Sequence, residues 1–332
     1  MDFASKSKGI DYAQFEAVVN RILKDTDSVW NQSMKKVSLD LLGKPFENLR
    51  STHLLYLRSI SMFDDNYPAQ KIVSTFKRYA RDMGFGNLLS QIKIDDVDRT
   101  KKNPRAVCYW INPPQEVHLV IKPIGGEQDY EAMFHEGGHA LHAASEDPAM
   151  PQTYKILSRS NALTEMYAFI LEDLVFEPAW LKKYLGVDLK IGERIKMQAK
   201  FVNLMLLRRY IGKFLYEYQL FSGGTLQKGP EIYAKILQRT TGFVHSGEKY
   251  LNDMDGYFYS ADYLRAWIGA AQFKDYLQKT YGQEWFFSAR AGAFLGELWK
   301  DGVRDELEVV VKKLGYHAWD SKYLIRSYSG LG

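Results

Sequence analysis

A single cysteine, Cys108, is the only thiol in this chain, so no internal disulfide can staple it. No apolar run reaches the about 18–20 residues a membrane-spanning helix needs, because pairs such as Glu172-Asp173 and Arg208-Arg209 break the greasiest stretches. Neither sign of charge is in excess: 44 Lys plus Arg against 40 Asp plus Glu leave +4, spread along the sequence. No basic stripe interleaves with aromatics, and Lys101-Lys102 alone reads as a solvated turn, which argues against a nucleic-acid partner. Met1 to Lys8 holds no basic segment leading into an apolar run, so a reducing, cytoplasmic setting is the expectation. Fixed-period repeats and low-complexity linkers are also lacking. What is plentiful is core material. Hydrophobic residues make up 46% of the 332, with 22 Tyr and 18 Phe, enough for one large domain or two lobes around a cleft.

Helical periodicity predicts helices over Tyr12–Leu42, Phe46–Ser61 and Ala69–Asp82, interrupted at Gly43-Lys44-Pro45 and from Asp64 to Pro68. Nothing there has catalytic spacing, and lone His53 reads as a packed or surface histidine. Residues 1–98 are therefore expected to wall or brace a cleft, and 99–332 to carry the chemistry. Val107–Ile111 and Val117–Ile121 are β-type runs separated by Asn112-Pro113-Pro114, predicting a hairpin or small sheet. An exposed edge there could hold an extended peptide through its main chain.

Asp129 is the expected N-cap of a helix running through Ala144 and stopping before Pro148. Further helices are expected over Ala162–Phe176, Ile195–Leu220, from Gly229-Pro230 onward, and over Tyr259–Lys279, Gln283–Lys300 and Val303–Lys313. The fold class is mainly α with a small β element.

The most informative segment is His135-Glu136-Gly137-Gly138-His139. Four residues apart on a helix, His135 and His139 share one face and can offer two imidazole nitrogens to a zinc-like divalent metal. Glu136, one step round, is placed to take a proton from water rather than to ligate. Gly137-Gly138 costs helix propensity, so another backbone should pass close at that turn. A third histidine six residues after His139 is ruled out by Ser145, and Leu141 stands where such signatures carry glycine. His142, on the same straight helix, fits packing or an outer hydrogen bond better than ligation. A carboxylate from the following antiparallel helix remains, and Glu165 in Asn161–Tyr167 is the choice, 26 residues after His139. Glu172 and Asp173, about two turns further on, read first as a polar helix face, with rival ligands or outer hydrogen-bond partners to His135 or His139 as the alternative.

Amide hydrolysis leaves a negative tetrahedral oxygen that needs a donor besides the metal. Tyr259 and Tyr263, four apart, are candidates, although tyrosines in so tyrosine-rich a chain are ordinarily structural; His245 is a third candidate.

Three pieces together resemble the thimet-oligopeptidase-like zinc peptidases, gluzincins of mostly helical build with a deep substrate channel. They are Phe134 to His142, the helix at Glu165, and Tyr259-Ser260-Ala261-Asp262-Tyr263 followed by Trp267. The resemblance covers roughly Arg99 to Lys300. It implies a multi-helical zincin-like metallopeptidase with a small sheet beside the active-site helix and a substrate cleft. One Zn2+ per chain would be held by His135, His139 and Glu165, with Glu136 as general base and Tyr259 and Tyr263 touching substrate or oxyanion. It further implies that peptide lies along Val117–Ile121. Two positions depart from the family: Ala266 stands where a third tyrosine is common, and Met254 where a histidine is.

The expected function is a zinc-dependent oligopeptidase or endopeptidase acting on short peptides. An exopeptidase on the same core is the first alternative, with Arg208, Arg209 or Arg265 as possible holders of a substrate carboxylate, though structural ion pairs suit all three. A zinc-binding scaffold with little turnover is the second. Oligomeric state is left open.

Overall fold

The computed structural model describes residues 2–58, 62–103, 106–223 and 225–331. Fourteen helices and one three-stranded sheet are found among them. The end of the helix expected over Phe46–Ser61, and Gly224, lie outside the described residues.

The chain opens with α1 (Asp2–Lys8) and the long α2 (Tyr12–Leu42), the latter bounded as its periodicity predicts. Asp11 caps α2 by accepting from Gln14 N–H, and Gly43 closes it at φ +60°, a left-handed turn that suits glycine. Helices α3 (Ser51–Arg58) and α4 (Ile72–Asp82) follow. Next come β1 (Ile92–Asp95), β2 (Val107–Asn112) and β3 (Glu116–Val120), then α5 (Glu127–Ser145), α6 (Gln152–Ile156), α7 (Ala162–Glu172) and α8 (Pro178–Leu185). The remainder is α9 (Leu189–Phe221), α10 (Gly229–Thr241), α11 (Tyr259–Tyr281), α12 (Ala289–Trp299), α13 (Leu307–Lys313) and α14 (Lys322–Ser327). No described helix is long and apolar enough to cross a membrane.

Two compact units divide the chain, and neither is continuous. One comprises Met1–Ile60, Met197–Ile268 and Trp319–Gly332; the other comprises Ser61–Lys196 and Gly269–Ala318. The first has an aromatic core in which Trp30 stacks on Phe201 and meets Phe243, while Phe15 sits edge-on to Phe214. In the second, Phe134 of α5 is ringed by Phe76, Tyr79 and Trp180.

The sheet belongs to the second unit and has the order β1-β3-β2, with β1 parallel and β2 antiparallel to β3. Ile92, Val117 and Leu119 are buried and the sheet packs on α5, whereas Tyr109 and Ile111 are about half exposed. β1 was not expected: only four residues long, it alternates Ile92 and Ile94 with Lys93 and Asp95. Its presence makes β3 the central strand.

Asp129 is not the N-cap of α5. Gly126 occupies that position, and Asp129, in the first turn, accepts from Ile124 and Gly125 N–H at 2.5 and 2.7 Å. The Asp129 carboxylate thus holds the incoming loop, and the helix begins three residues earlier than the side-chain pattern suggests.

Candidate metal centre

Helix α5 carries His135 and His139 on a face backed by α7, with Glu136 one step round. Contacts run in opposite order along the two helices, His135 meeting Phe169 and Glu172 and His142 meeting Tyr167, so they are antiparallel as expected. The spacer glycines make the approach possible. A Cβ on Gly138 would lie 2.8 Å from Ala168 Cα, and one on Gly137 would lie 2.3 Å from the Phe76 ring. The close backbone that the Gly-Gly pair foretells is therefore α7 itself.

Glu165 lies in the first turn of α7, where the positive end of the helix dipole favours a carboxylate, and it is buried. One oxygen is 3.3 Å from His135 Nε2 and the other 3.7 Å from His139 Nε2. The three residues offer ligand atoms all within 4.8 Å of one another. Tetrahedral zinc with bonds near 2.0–2.1 Å requires ligand atoms about 3.3 Å apart, so this donor set fits such an ion with small adjustments.

Glu172 completes the arrangement. Its Oε2 is 2.5 Å from His135 Nδ1, so with Nδ1–H donating to it the Nε2 lone pair is left facing Glu165. Burial lowers the His135 pKa, but hydrogen bonds to Glu165 and Glu172 outweigh it and hold the pKa well above the ordinary imidazole value. His139, buried with less compensation, is pushed down to about 4.

Glu136 turns to the sheet. Its Oε2 accepts the Cys108 N–H at 2.8 Å. Cys108 is paired in register with Leu119, yet its amide points away from β3, so the outer edge of β2 faces α5 at Glu136. This corrects the expectation that Val117–Ile121 is the strand along which peptide lies. β3 is hydrogen-bonded on both sides, by β1 and by β2, and has no edge to give; among the described residues β2 has one.

His142 is fully buried between the rings of Trp110 and Tyr167, with Nε2 3.3 Å from the Gly302 carbonyl, and burial lowers its pKa to about 3. It packs and does not join the ligand group. His53 accepts the Arg50 N–H, a local turn contact.

The other sequence-selected residues belong to the first unit. Tyr259 and Tyr263 lie on one half-exposed face of α11 with ring centroids 4.9 Å apart, and Tyr263 stacks on Tyr210 at 5.2 Å. His245 is buried, 3.2 Å from Thr241 Oγ1 and edge-on to Tyr233, and burial lowers its pKa to about 4. Arg208 donates to Thr240 O, Leu23 O, Thr26 Oγ1 and Asp27; Arg209 pairs with Asp253, and Arg265 with Asp262. All three arginines are engaged in the structural ion pairs that were the plainer reading.

No family model and no curated protein matches the sequence. Solved structures do. PZ peptidase A, solved with an inhibitor, superposes with a TM-score of 0.65 at 12% identity over 95% of this chain and 57% of that one. The fold is that of the zincin-like metallopeptidases. A metallocarboxypeptidase of Trypanosoma cruzi gives 0.62 at 12% identity, covering 94% of this chain and 66% of that one. A carboxypeptidase of Deinococcus radiodurans gives 0.62 at 14%, covering 98% and 82%. Against the first of these the chain spans little more than half the other's length.

Proposed function

We propose that this protein is a zinc-dependent peptidase that hydrolyses short peptides internally. The observation that carries the reading is the convergence of His135, His139 and Glu165 from two helices, with Glu136 beside them and Glu172 orienting His135. One zinc per chain would be held by the three residues. When bound, such an ion supplies Lewis acidity to the attacking water and the scissile carbonyl. The protein's own groups do the rest. Glu136 removes a proton from the water and returns it to the leaving amine. An extended peptide aligns by main-chain hydrogen bonds along the outer edge of β2, where residues in phase with Cys108 turn their amides and carbonyls outward. No step is assigned to His245.

A carboxypeptidase is the second reading, favoured by the two carboxypeptidases among the similar structures. Arg208, Arg209 and Arg265, the terminal-carboxylate holders the sequence offered, each pair with an aspartate of the first unit, which supports internal cutting.

A quenched peptide library incubated with zinc-loaded protein, chelator-treated protein and Glu136→Gln tests both readings. Turnover should vanish with chelator and fall about 10²–10⁴-fold in the variant, which should still bind zinc. Products several residues long from both ends of the substrate support the oligopeptidase; stepwise release of single C-terminal residues establishes the carboxypeptidase. Cleavage indifferent to both treatments, or zinc bound without any turnover, overturns the proposal.

A further inference from the structure

The two faces of the sheet differ in what they meet, all within the second unit. Val117 and Leu119 of β3 are fully buried, and their register partners on β2 are Trp110 and Cys108, so these four side chains share the inner face. Trp110 meets the His142 ring of α5 there, with centroids 5.3 Å apart. The residues between them point the other way. Across the outer face run two rows in register, Lys93 with His118 and Tyr109, and Asp95 with Val120 and Val107, each ending on β2.

The charges in these rows are compensated before the edge is reached. Lys93 Nζ and His118 Nε2 lie 2.5 and 2.9 Å from the same Glu116 oxygen, and Asp95 pairs with Arg99 and Lys102. What stands at the edge itself is Val107, partly buried, and Tyr109, whose ring is 51% exposed. Glu136 marks the level between them, since its Oε2 accepts the Cys108 N–H at 2.8 Å. Side chains level with one another on neighbouring strands share a face. A peptide strand beside β2 therefore sets one residue against Cys108 with its side chain toward α5, and the two neighbours of that residue against Val107 and Tyr109 on the outer face. Past Trp110 the register of β2 shifts, so this regular stretch of edge is short.

We infer, on the peptidase reading above, that Val107 and Tyr109 are specificity-determining residues: they select β-branched or aromatic side chains at two substrate positions, one on each side of the residue level with Cys108. The substrate class narrows to extended peptides with apolar residues two apart around the cut. Cross-strand pairs of aromatic and β-branched side chains are favourable, so each position should favour Val or Phe over Ala by about 2–5-fold. Such pairs sit away from the reacting atoms and act alike on bound substrate and transition state, which puts the preference in KM.

The test uses the full zinc-loaded chain and fluorogenic peptides in which each position around the cleaved bond is changed in turn among Phe, Val, Ala and Glu. Wild type should prefer apolar residues at two positions with one residue between them. Tyr109→Ser should reduce the preference at one of them to below about 1.5-fold and Val107→Ser at the other, with kcat within about 2-fold and bound zinc unchanged. Tyr109→Lys, which keeps a long side chain on the exposed face, should turn the Tyr109 position toward Glu, an effect that fades with added salt. Wild type without the paired preference, Tyr109 variants whose profiles match wild type, or variants at 107 and 109 that act on positions not two apart overturn the inference and leave the peptidase reading standing. Wild type that cleaves none of the peptides overturns that reading and the inference with it. Should Tyr109→Ser not fold, Tyr109→Lys and Val107→Ser take the same measurements.

Discussion

Glu172 is the residue whose importance the sequence understates most. It stands seven positions after Glu165, two helical turns on and therefore on the same face. That spacing was visible. What the sequence does not show is which neighbour that face meets, so a polar helix face was the plainer reading, whereas the carboxylate is 2.5 Å from His135 Nδ1. Replacing Glu172 by Gln should weaken zinc affinity by about 10–100-fold, measured by chelator competition, with little change in folding. Unaltered affinity would mean that His135 is oriented by other contacts. The motif around His135 was legible because its geometry is local to one helix. Glu165 was legible because the segment between α5 and α7 returns the chain. Arg209 and Lys213 were opaque, since their partners at Asp253 and Asp255 lie about forty residues away and only tertiary packing pairs them.

The antiparallel pair α5–α7 depends on the absence of a side chain at Gly138. Adding one methyl there meets backbone, with Ala168 Cα at 2.8 Å, so the helices themselves must separate. Gly138→Ala should therefore destabilise the fold by about 1–3 kcal/mol in chemical denaturation and loosen zinc as Glu165 recedes. Gly137→Ala meets the side chain of Phe76 and no backbone, and should cost less. Equal losses at the two positions would count against this account. Helices with strong local punctuation were read to the residue, as α2 between Asp11 and Gly43 shows. Where a tertiary bond competes, boundaries moved: α13 begins at Leu307 and not Val303, whose N–H is taken by the Tyr154 carbonyl at 2.7 Å. Strand order was the largest loss. Nothing local in Ile92–Asp95 announces that it pairs with β3, and that pairing decides which strand keeps a free edge.

Stability of the whole chain should carry a trace of one buried acid. Burial pushes the Glu146 carboxyl up from 4.5 to about 8, with Lys155 pulling it the other way. Folded protein therefore retains a proton that the unfolded chain has released between those values. The stabilisation is complete below about pH 4.5 and is lost as pH rises through about 8. Glu146→Gln should flatten the decline in unfolding free energy over that window, read from denaturation curves at several pH values. A parallel decline in the variant would assign it to other groups. The division of the chain into two units has a further consequence. Their boundaries fall at Ile60, Lys196, Ile268 and Ala318, and two of the four lie inside continuous helices, α9 and α11. No single break in the polypeptide releases either unit whole, and any contiguous excision that spares one amputates the other. Neither can be carried away as one contiguous stretch, so a duplication or recombination that moves one unit whole must also move part of the other.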